Sequence, residues 1–108
     1  LEKIRCSIQV DSGLARIAAK VMRVKAVAMV LGRTIHLYGA SRLEFLSDIA
    51  WVRHEACHVM QYQQYGMIGF LTRYLYQSAR WGYYHNPLEV AARKAEADPG
   101  ILEGIEII

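Results

Sequence analysis

The sequence predicts an α+β fold: about four helices with a small antiparallel β-hairpin sheet. Three observations lead there. Apolar residues recur at helical spacing in several separate segments. Two β-rich runs flank Gly32-Arg33, a pair suited to a tight hairpin turn. And 54% of the 108 residues are hydrophobic, which suits one core and a single domain over residues 1–108.

Taken in order, Asp11 and Ser12 are N-cap residues for a first helix. Leu14, Ile17, Ala18, Val21 and Met22 share one face, expected to pack inward, and Arg16, Lys20 and Arg23 take the other. Residues 25–31 and 34–38 then pair across a II′ turn, with Ile35 and Leu37 on one face and Thr34, His36 and Tyr38 on the other. Residues 7–10 or the tail "ILEGIEII" can extend this sheet. A second helix is expected from a Ser41 cap to about Tyr65, stopped by Gly66. It is apolar nearly all round (Leu46, Ile49, Trp51, Val52, Ala56, Val59), so it should be central. A third helix carries Met67, Leu71, Tyr74, Leu75 and Ser78 as one stripe, against Thr72, Arg73, Gln77 and Arg80. A fourth starts at Asn86-Pro87, where the missing proline N–H costs nothing, and ends at Asp98-Pro99-Gly100.

Composition narrows the function classes. The net charge of +3 arises from 13 basic and 10 acidic residues spread along the chain, so no nucleic-acid partner is expected. The longest aliphatic run, Ala26 to Leu31, is too short for a transmembrane segment. Cys6 and Cys57 make no disulfide framework, and no signal peptide is recognisable. A reducing, cytoplasmic setting is the simpler expectation, although the opening "LEKIRC" reads like the middle of a longer chain.

The chemistry is carried by "RHEACHVMQYQQYG". His54 and His58 are four residues apart, so on a helix both imidazoles lie on one face and can reach one metal ion. Glu55 is rotated away by roughly 100° and can reach a water beside that ion. H-E-x-x-H on a helix is the signature of a zinc peptidase, with two ligands and a general base. Neutral imidazoles keep the ion Lewis acidic enough to activate water near neutral pH, and a nearby carboxylate can accept the proton. The same five residues also fit a buried helix with two satisfied histidines. A catalytic zinc needs a third protein ligand and an open position. Glu89, in the first turn of the fourth helix, is the candidate, with Glu96 as its rival.

"HEACH" followed by "NPLEVAARKAE" resembles the gluzincin class of zinc metallopeptidases, and the wording "GRTIHL…RHEACHVMQYQQYG…YHNPLEVAAR" resembles a small bacterial peptidase-like family within it. The likeness covers roughly residues 12–97. It implies a minimal zincin-like core, zinc held by His54, His58 and Glu89, Glu55 as base, and a peptide or unfolded protein as substrate. It also implies an edge strand ahead of the motif helix that pairs with substrate backbone, here placed at Thr34, His36 and Tyr38. An ordinary hairpin strand is the competing reading of that segment. One departure stands out: Arg93 occupies the position where the class has an acid that steadies a ligand histidine. Glu96, seven residues beyond Glu89 on the same helical face, can serve instead.

Tyr83, Tyr84 and His85, just ahead of Glu89, are candidates to polarise a carbonyl or hold the oxyanion, or else are packing and capping residues. Cys57 is expected to be a small buried filler, His36 a strand residue with a local partner, and Gln61 a structural amide. Three functional readings follow: a zinc-dependent peptidase, a catalytically silent metal-binding or interaction domain, and a metal-free helical module.

Overall fold

The computed structural model describes residues 2–108. Strand β1 (Ile4–Gln9) leads into α1 (Gly13–Met22), the hairpin β2 (Val27–Leu31) and β3 (Thr34–Tyr38), and the short α2 (Arg42–Ser47). The long α3 (Ile49–His85), α4 (Pro87–Ala95), a 3-10 turn (Pro99–Leu102) and β4 (Ile105–Ile107) complete the chain. The α+β class is as expected. The sheet is not a simple antiparallel hairpin, however. Its order is β2-β3-β1-β4, with β2 antiparallel to β3 and β1 parallel to both β3 and β4.

The mixed sheet follows from connection lengths. Two residues, Gly32 and Arg33, join β2 to β3, and only Gly32 takes a positive φ (66°), as a II′ turn requires. Between β1 and the hairpin lies α1, a crossover that permits parallel pairing. Both candidate extensions are used, β1 on one side and the tail as β4 beyond it.

This topology corrects the expected edge. Thr34, His36 and Tyr38 lie on β3, which is paired on one side with β2 and on the other with β1. Its backbone is already occupied, and the strands left with a free side are β2 and β4, of which β2 lies beside α3. His36 does find a local partner: its Nδ1 lies 2.9 Å from the Ser12 hydroxyl, and Ser12 also caps α1.

The orientation of α1 is a second correction. Its inward face is built from Ala15 and Ala19, while Leu14, Ile17, Val21 and Met22 face solvent. Alanines let the helix lie close on β2 and β3, where larger side chains would hold it away.

The expected second helix is broken at Asp48. Asp48 ends α2 and caps α3, accepting the Trp51 N–H at 3.1 Å. Beyond it α3 runs on past Gly66 and Gly82, each a non-helical kink with φ above 70°. The core sits between sheet and helices: Ile35, Leu37, Phe45, Val52, Ala56 and Val59 are all nearly inaccessible. On the opposite flank of α3, Cys57 packs with Ala92 and Ala95 of α4. These small side chains bring the two helices close enough for their polar residues to meet.

Candidate metal centre

His54, Glu55 and His58 lie in the second and third turns of α3, and Glu89 lies in the first turn of α4. The start of α4 is pinned by Asn86, which is fully buried. Its Oδ1 accepts the Leu88 N–H at 2.8 Å, and its amide donates to the Tyr74 carbonyl and the Ser78 hydroxyl. That cap, with Pro87 at the first helical position, fixes where Glu89 projects.

The two imidazoles converge on one carboxylate oxygen. His54 Nε2 lies 3.1 Å and His58 Nε2 3.2 Å from Glu89 Oε1. Ligand atoms from the three residues all lie within 4.8 Å of one another, a spacing that one metal ion can bridge. The other ring nitrogens are also engaged. His54 Nδ1 donates to Glu96 Oε2 at 2.8 Å, and His58 Nδ1 donates to Gln61 Oε1 at 2.9 Å. Gln61 in turn donates to the Leu88 carbonyl at 3.1 Å, tying His58 to the same turn of α4 that carries Glu89. With both Nδ1 atoms donating, both Nε2 atoms are aimed at a common point, the arrangement a metal-binding imidazole needs.

Glu96 is therefore no rival ligand. It holds His54 from behind, while its backbone carbonyl accepts from Arg53 at 3.2 Å. Arg93 turns away from the cluster, donating to the Tyr84 carbonyl with its guanidinium 4.1 Å from the Tyr84 ring. The position where an acid was expected is thus bypassed, and the acid comes from three residues further on.

The electrostatics favour a cation. Burial pulls the His54 pKa down, but hydrogen bonding to Glu89, the Glu55 charge and the Glu96 contact outweigh it and raise it to about 9. His58 is raised by the same competition between burial and Glu89. Burial alone would raise Glu89, but its bonds to both histidines hold it well below the usual carboxylate range. Glu55 is governed by burial, which pushes it up to about 7 against the pull of His58 and His54. It therefore sits near the value at which a carboxylate can both take and return a proton at neutral pH.

Two cavities meet at the cluster. One, about 290 Å³, is walled by Val27, Ala28, Met29 and Val30 of β2 and by Phe70 and Tyr74 of α3. The other, about 360 Å³, lies between the start of β2 and Asp48, Trp51 and Glu96. His54, Glu55 and Tyr83 border both. Val27 and Ala28 of the edge strand β2 also wall both, so the two form one groove beside that strand with Glu55 in its lining. Of the three residues ahead of Glu89, only Tyr83 borders it; Tyr84 is occupied with Arg93, and His85 stacks edge-on against Tyr84 at the surface.

One contributor was not visible in the sequence. Tyr74 donates its hydroxyl to Glu89 Oε2 at 2.5 Å. In the sequence it belongs to an apolar helical stripe, and nothing in its spacing separates a core tyrosine from one that reaches a ligand.

The chain matches no protein-family model, no curated protein and no solved structure. Among the described residues no helix is long and apolar enough to cross a membrane.

Proposed function

We propose that this chain is a zinc-dependent peptidase of the gluzincin type, acting on extended or unfolded protein segments. The observation that carries the reading is the convergence of His54 Nε2 and His58 Nε2 on Glu89 Oε1, with Glu55 beside them in a groove along the edge strand β2. Two imidazoles and a carboxylate, all nitrogen or oxygen donors, form a ligand set that suits zinc and leaves a position open. Bound there, zinc supplies Lewis acidity for a scissile carbonyl and for the attacking water.

The remaining work falls to residues of the chain. The free side of β2 offers backbone N–H and C=O groups to an extended segment, which would pair as an added strand. That pairing lays the segment over Glu55 without demanding a sequence. Glu55 takes the proton of the attacking water and returns it to the departing amine. Tyr83, on the groove wall, would donate to the carbonyl oxygen as negative charge builds there. Glu96 and Gln61 keep the two imidazoles from rotating.

The test is cleavage of an unfolded protein by wild type and by Glu55→Gln, with metal content measured on both. The expected result is cleavage by wild type and a loss of about 100-fold or more in the variant at unchanged metal content. Equal rates would remove Glu55 as the base. Metal in both proteins with cleavage by neither would assign the chain to a silent metal-binding domain instead.

A further inference from the structure

Helix α1 turns its larger apolar side chains outward. Ile17 and Val21 are 63% and 78% exposed, while Ala15 and Ala19 fill the inner face. The stretch of α3 beyond Gly66 does the same: Phe70 and Tyr74 turn in, and Ile68 and Leu75 are 80% and 69% exposed. The two outward stripes are neighbours, because Ala18 and Met22 of α1 and Leu71 of α3 wall one cleft. Apolar side chains this exposed and this clustered mark a surface that meets something.

Charge says what. The acidic residues are unevenly placed along the chain. No Asp or Glu occurs from Ser12 to Leu43 or from Ala56 to Leu88. Those two segments contain both apolar stripes, and Arg16, Lys20, Arg23, Arg73 and Arg80 are exposed on them. Among the described residues none of these cations is paired with a carboxylate; the one Arg–carboxylate pair is Arg5 with Glu106 on the far edge of the sheet. A second copy would suit this face poorly, since a two-fold interface sets the same patch against itself and like charges would meet.

We propose that this face docks on the anionic surface of a lipid bilayer. Ile17, Val21, Ile68 and Leu75 enter the headgroup region, and the flanking arginines and lysine meet the lipid phosphates. Apolar residues bordered by Lys and Arg are the composition of an interfacial helix. Trp81, half exposed near the end of the same helical stretch, is of the type that settles at the headgroup level. No helix need cross the membrane. The inference rests on surface chemistry alone and stands whether or not the cluster binds metal.

Vesicle co-sedimentation tests it, using phosphatidylcholine alone and phosphatidylcholine mixed with phosphatidylserine. The protein is expected to bind only the mixed vesicles, more weakly as salt rises. Binding should fall roughly fivefold for each cation replaced in Arg16→Ser and Arg73→Ser, and at least roughly tenfold in the Ile17→Ser/Val21→Ser double variant. All these positions are exposed, so circular dichroism should show an unchanged fold. Failure of the folded wild type to bind mixed vesicles would overturn the proposal, as would equal binding to phosphatidylcholine alone. So would self-association abolished by Ile17→Ser/Val21→Ser without vesicle binding, which would assign the face to a second copy.

Discussion

Tyr74 and Glu89 share a hydrogen bond of 2.5 Å, made to the carboxylate oxygen that faces away from both imidazoles. Glu89 is thus held by one oxygen so that the other is fixed between His54 and His58. The donor comes from a part of α3 three turns or more beyond the motif, and the Asn86 amide bonds the Tyr74 carbonyl as well. Tyr74→Phe should therefore lower zinc affinity about tenfold in a chelator competition titration. The ring still stacks on Phe70, so the fold should persist. Unchanged affinity would mean that Glu89 is positioned by its helix alone.

Glu96 holds the far nitrogen of His54. Glu96→Ala should cost about 10–100-fold in zinc affinity. Glu96→Gln keeps an acceptor for the Nδ1 proton and should recover most of it. If both variants bind zinc as wild type does, the Glu96 contact orients nothing.

Gly39 ends β3 with φ at +80°, and a Cβ there would lie 2.0 Å from the Lys25 carbonyl oxygen. Both the backbone conformation and the contact refuse a side chain. Gly39→Ala should lose about 2 kcal/mol or more in urea unfolding. Gly13, where an added Cβ meets nothing within 4 Å, is the control: Gly13→Ala should be neutral or slightly stabilising.

Burial lowers the pKa of His36 in the folded state. Its Nδ1 lies 2.9 Å from the Ser12 hydroxyl, which can donate to the neutral ring. The unfolded chain then binds the proton more readily, so this contribution is full above the unfolded pKa and is lost as pH falls through the lower folded one. The gap in urea midpoint between wild type and His36→Gln should narrow from about pH 7 to about pH 5. A gap independent of pH would show that His36 does not titrate with folding.

The local features of this chain were legible because local chemistry determines them. The Asn86-Pro87 cap, the Gly32-Arg33 turn, the i,i+4 histidines and the choice of Glu89 each rest on a few neighbouring residues. What could not be read depends on which surfaces meet. The helical period of α1 gives an apolar face but not its direction, and the close approach of alanines to the sheet reversed the expected one. Alternation in Thr34–Tyr38 identifies a strand, yet its place inside the sheet depends on β1 arriving in parallel from the far side of α1. Arg93 stands where the resemblance implies an orienting acid; the sequence offers Glu96 both for that place and as a rival ligand, and only the path of α4 shows it on His54 Nδ1.

Metal stoichiometry tests the central claim most directly. Plasma mass spectrometry on freshly purified wild type, His58→Ala and Glu89→Ala would measure it. About one zinc per chain is expected in the wild type and little in either variant, since two imidazoles and one carboxylate must act together. A wild type without zinc that gains no melting temperature when zinc is added would contradict it. So would a Glu89→Ala variant that keeps its full equivalent.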